Sequence, residues 1–148
     1  MRFVRIKPLS VLVLFASTAG GWAMSPAVVR VDLMDPSTGP SVKSMMIKTD
    51  QRSVKAGPVK FLVSNESKTL VHEMIVVSMA NPNAALPYDK KDNRVIESRI
   101  KDLGEASDLP PGTKKMLTLR LKPGDYILMC NQPGHYKAGM RVNFTVTR

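Results

Sequence analysis

Cys130, His135 and Met140 stand in one short run, C-N-Q-P-G-H-Y-K-A-G-M, spaced C-x4-H-x4-M. A thiolate, an imidazole and a thioether are soft and borderline donors, and together they select copper. Cys130 closes an apolar stretch at 126–129, and Met140 opens a segment in which 141–146 alternate polar and apolar. Two such runs read as adjacent strands, with Pro133-Gly134 as the turn between them. A loop of that kind delivers three donors to one end of a sheet.

A trigonal copper site with a weak axial methionine takes two histidines and one cysteine. The chain has two histidines in all. The second, His72, lies in a strand-like run at 70–77, where a lone histidine is ordinarily a hydrogen-bonded core residue. As a ligand it would complete the set and leave none over. A multicopper oxidase or a dinuclear centre needs more histidines than this. The other donors have plain alternatives too. A lone cysteine packs as a small hydrophobe, a loop histidine sits on the surface, and Met140 shares strand parity with Val142, Phe144 and Val146. Met45, Met46, Met74, Met79 and Met116 form no separate soft-ligand cluster, and Met74 and Met116 read as strand residues filling a core.

The set His72, Cys130, His135 and Met140 resembles the ligands of the cupredoxin family of type 1 blue copper proteins. The C-x4-H-x4-M loop is closer to the rusticyanin, sulfocyanin and auracyanin branches than to those with shorter spacings. The likeness extends over Gly57-Pro58-Val59-Lys60-Phe61, Asn65 and His72-Glu73, and again from Leu121-Lys122-Pro123-Gly124-Asp125-Tyr126 to the end. It implies one type 1 copper held by these four residues and carriage of single electrons between redox partners. Those partners would be proteins such as cytochromes or an oxidase, docking briefly near His135. Several well-known members carry Asn after the first ligand histidine, where it ties the two ligand loops together. Glu73 stands there in this chain, so that contact is not carried over.

Residues 1–23 read as a signal peptide. Arg2, Arg5 and Lys7 form a basic start, an apolar run follows at 9–19, and Gly21-Trp22-Ala23 offers small residues for cleavage after Ala23. The apolar run is short against the roughly 20 residues of a membrane span; cleavage is the reading preferred over an uncleaved anchor, and no integral span is expected after it. No cysteine follows to take a lipid. Export to the periplasm or beyond is therefore expected, leaving one domain at 24–148. Losing Arg2, Arg5 and Lys7 lowers the formal net charge from +10 to +7. The only cysteine cannot form an internal disulfide in an oxidising compartment, and metal ligation accounts for it. The scattered basic residues fit a solvated surface or an acidic partner better than nucleic acid, and a monomer is expected.

Strand-like runs fall at 28–33, 42–49, 59–64, 70–77, 115–121, 125–130 and 140–147. Pro-Gly pairs at 111–112, 123–124 and 133–134 punctuate the later ones. The fold class expected is all-β, a Greek-key sandwich of about seven to eight strands. Residues 80–112 are charged, proline-marked and long for a connection. They read as an excursion with one short helix or strand near 95–101. No triad, Walker loop or dinucleotide fingerprint is present, so no enzyme is expected. The alternative to an electron carrier is a periplasmic copper-binding protein that buffers or delivers the metal.

Overall fold

The computed structural model describes residues 25–39 and 44–148; the expected signal segment lies outside them. Two sheets face each other. The first has the order β2-β1-β4-β9, with β1 at Ala27–Met34, β2 at Met46–Thr49, β4 at Gly57–Asn65 and β9 at Lys114–Leu121. The second runs β3-β11-β10-β5-β8, with β3 at Ser53–Lys55, β5 at His72–Met79, β8 at Asp102–Leu109, β10 at Gly124–Met129 and β11 at Arg141–Thr147. β1 pairs parallel with β4, and β3 parallel with β11. The all-β sandwich expected from the sequence is thus what forms, with β3 and β8 in addition to the seven runs read there.

Strand parity decides which side chains meet. Val29, Val31 and Leu33 of β1 and Val59, Phe61 and Val63 of β4 are buried on the inner face. They meet Met74, Val76, Leu128, Val142, Phe144 and Val146 of the opposing sheet. Phe61 and Phe144 pack edge to face at 5.6 Å between centroids. Met116 does not join this core: it is 60% exposed on the outer face of β9, opposite in parity to Leu117, Leu119 and Leu121.

A second apolar cluster lies on the outer face of the other sheet. Ile75, Val77, Ile127 and Met129 are covered there by Leu86, Val95 and Tyr136, with Met79, Tyr88 and Ile100 around them. This is why 72–77 is buried without interruption: a strand covered on both faces needs apolar residues at both parities. The cover comes from the 80–112 excursion and, through Tyr136, from the loop between β10 and β11. The excursion carries the small hairpin β6 (Tyr88–Asp89) and β7 (Arg94–Val95), a 3-10 turn at Glu97–Arg99, and then β8, an edge strand paired with β5. Of the three Pro-Gly pairs, only 133–134 joins two paired strands. The other two sit where the chain crosses between sheets, from β8 to β9 and from β9 to β10.

Candidate metal centre

The four residues offered as ligands lie at one end of the sandwich, and three of them, His72, Cys130 and His135, bring donor atoms together. His72 is the first residue of β5, not an interior one, and is fully buried; Leu70 and Val71 before it are exposed. Cys130 directly follows β10, and Met140 directly precedes β11. The ladder between those strands continues one step further, since the Cys130 N–H donates to the Met140 carbonyl at 3.0 Å. The loop closes in a tight turn in which the His135 N–H donates to Gln132 O at 2.9 Å, and the Met140 N–H donates to His135 O at 3.0 Å. Gly134 and Gly139 hold the positive φ that the loop requires, 82° and 103°. At Gly139 an added Cβ would also come within 3.3 Å of Met45 O.

Three donor atoms converge. His72 Nδ1 and His135 Nδ1 are 3.2 Å apart, and Cys130 Sγ is 3.4 Å from His135 Nδ1. All three lie within 4.8 Å of one another, at the span of ligands around one small ion. Met140 is fully buried beside them in the backbone ladder. Burial lowers the pKa of both imidazoles, and at His135 the neighbouring His72 adds to the effect, so both stay neutral as ligands must. Burial pushes the Cys130 thiol up to about 11. A metal there has to displace a proton, and a thiol so held is a poor nucleophile.

Two supports of this centre were not legible as such from the sequence. Glu73 is buried, and its Oε1 accepts the Asn131 N–H at 3.0 Å. A carboxylate thus ties the start of β5 to the loop that follows β10. Asn131 then clamps the excursion: its Oδ1 accepts the Val95 N–H at 2.7 Å, while Nδ2 donates to Val95 O at 3.0 Å and Glu97 Oε1 at 2.7 Å. Tyr136 adds an apolar brace by stacking on Tyr88 at 6.1 Å.

Asp35 is the other. The sequence offers it as the residue that ends β1, in Asp-Pro-Ser-Thr-Gly-Pro. It is buried, with Oδ2 3.0 Å from His72 Nε2. The signal was in the parity: Val29, Val31, Leu33 and then residue 35 all face inward, and an inward carboxylate requires a partner. Burial would raise its pKa, but hydrogen bonds from Ser37, Ser67 and His72 outweigh this and bring it to about 2. Asn65 completes the frame by donating from Nδ2 to Leu70 O at 2.9 Å and Leu109 O at 2.8 Å, which fixes the approach to His72.

No family model matches the chain, and no curated protein matches it in sequence. Solved structures do. An auracyanin from the photosynthetic bacterium Roseiflexus castenholzii is similar with a TM-score of 0.59 at 20% identity, covering 84% of this chain and 98% of its own. Rusticyanin from Thiobacillus ferrooxidans matches with a TM-score of 0.59 at 16% identity, over 81% of this chain and 76% of its own. Auracyanin A of Chloroflexus aurantiacus, a "blue" copper protein, matches with a TM-score of 0.55 at 20% identity, over 83% of this chain and all 100% of its own. The fold is a cupredoxin-type sandwich.

Proposed function

We propose that this chain is an exported type 1 copper protein that carries single electrons between redox partners. His72, Cys130 and His135 would be the equatorial ligands and Met140 the weak axial one. The observation that carries this is the convergence of His72 Nδ1, Cys130 Sγ and His135 Nδ1 within 4.8 Å of one another at the end of a cupredoxin-type sandwich. Two imidazoles and a thiolate with a thioether alongside fit copper in a trigonal site, whereas structural zinc takes four strong ligands. Bound copper would supply a one-electron Cu(II)/Cu(I) couple; the rest is the work of the chain.

That work is to hold donors still. A site that changes shape little between oxidation states exchanges electrons without a large reorganisation. Here His72, Cys130 and Met140 stand at strand ends, the loop turn holds His135 through its backbone bonds to Gln132 and Met140, and the loop is tied to β5 through Glu73 and to the excursion through Asn131. His72 is fully buried while His135 is 9% exposed, so His135 is the side from which a partner would approach. The basic surface would steer an acidic partner in a salt-dependent way, and export rests on the reading of residues 1–23. Anchored, buried donors favour retention over the exchangeable site that a delivery protein needs.

The experiment is a titration of the purified protein with Cu(II), followed in the visible region. An intense thiolate-to-copper charge-transfer band saturating at one equivalent is expected; a colourless complex would defeat the assignment. Reduced protein should then keep its copper against a moderate Cu(I) chelator while exchanging electrons quickly with a soluble redox protein. Rapid loss on reduction would favour buffering or delivery instead.

A further inference from the structure

His72 has two ring nitrogens, and the structure gives them opposite surroundings. Nδ1 faces the other donors, 3.2 Å from His135 Nδ1. Nε2 faces Asp35 Oδ2 at 3.0 Å. An acidic oxygen at that distance accepts a proton-bearing nitrogen, so it selects the tautomer with hydrogen on Nε2 and the lone pair on Nδ1. The carboxylate is itself held. Asp35 Oδ1 accepts the Ser37 N–H at 2.7 Å, and the backbone turn closes as the Thr38 N–H donates to Asp35 O at 2.9 Å. A neutral acceptor would fix the same tautomer. A carboxylate adds negative charge behind the ring, which raises the basicity of the imidazole toward a cation.

We propose that Asp35 is the positioning residue of this centre: it fixes His72 as the Nε2–H tautomer, aims Nδ1 at the metal, and biases the site toward the more oxidised ion. The bias toward Cu(II) rests on the copper reading; the tautomer does not. Of the four candidate ligands, His72 is the one that Asp35 hydrogen-bonds among the described residues, and Asp35 acts through it.

Nitrogen-15 NMR of the full chain stripped of metal reads the tautomer directly. A His72 proton on Nε2 is expected, and a proton on Nδ1 would overturn the proposal whatever metal the site takes. Asp35→Asn keeps an acceptor oxygen but removes the charge. In the copper-loaded variant, Cu(II) affinity should fall about tenfold relative to Cu(I), read as a rise in reduction potential of about 59 mV for a one-electron couple. An unchanged potential would overturn the bias. A merely structural role would lower stability and leave the potential where it was. Should the parent protein show no charge-transfer band, the copper reading falls, and the NMR result still decides the role of Asp35.

Discussion

The carboxylate of Glu73 accepts the backbone N–H of Asn131 at 3.0 Å, joining residues 58 apart in the chain. Burial, with Glu105, Asp108 and Glu97 nearby, pushes the Glu73 carboxyl up to about 7, although the Asn131 bond pulls the other way. In the unfolded chain it ionises near 4.5. Between these values the folded protein binds the proton more tightly, so this group's contribution to stability falls as pH rises from 4.5 to 7. The full effect is roughly 3 kcal/mol. Glu73→Gln keeps an acceptor oxygen and should remove that loss. His72 and His135, with pKa values lowered from 6.5, act in the opposite sense, so the metal-free variant should gain stability as pH rises toward 6.5. Denaturant unfolding across that range checks this, and parallel profiles for parent and variant would count against it.

Cys130 should show its proton on metal uptake. With the thiol at about 11, binding near neutral pH must release one proton, and affinity should climb up to tenfold per pH unit below that value. A pH indicator in weak buffer measures the release. Cys130→Ser should lose both the release and the charge-transfer band, because serine offers no soft thiolate. A variant still coloured like the parent would remove Cys130 from the ligand set.

Met140 separates axial ligand from core residue. Met140→Leu should retain the colour and raise the reduction potential, since loss of the thioether disfavours Cu(II). Met140→Gln should lower it by offering a harder oxygen. Voltammetry of both variants tests this, and a potential unmoved by either would leave Met140 as packing alone.

The ligand loop was legible because spacing carries it. Cys130, His135 and Met140 sit in one run between two apolar segments, and nothing distant is needed to see them. His72 required the ligand inventory and the resemblance. Asp35 reaches His72 from 37 residues away, and Glu73, though next to His72, reaches Asn131 58 residues away, so these partners appear only when β1, β5 and the loop meet. β8 was missed for a different reason. It is an edge strand of sequence Asp-Leu-Gly-Glu-Ala-Ser-Asp-Leu, only Ala106 and Leu109 of it are buried, and irregular register with β5 breaks the period of two. Residues 42–43 of the second expected strand lie outside the described residues, and β2 begins at Met46.

Asn131→Ala tests the clamp on the excursion. It strands the Val95 N–H and C=O in a buried place, which costs about 2–4 kcal/mol for the pair. The denaturation midpoint should drop, and copper should leave the reduced protein faster than from the parent. Unaltered stability would mean that β7 and the turn after it hold their position by packing alone.

The parts of the centre come from segments about a hundred residues apart in the chain. Asp35 closes the first strand, and Met140 opens the last. A chain still emerging from the ribosome has Asp35 and His72 long before Cys130, His135 and Met140 exist, and the N–H that ties Cys130 to Met140 finds its acceptor only once residue 140 has been made. Metal capture therefore waits for the segment that carries β11. A truncated or stalled product cannot assemble the full donor set, and occupancy of the site certifies that the first strand and the last have found each other.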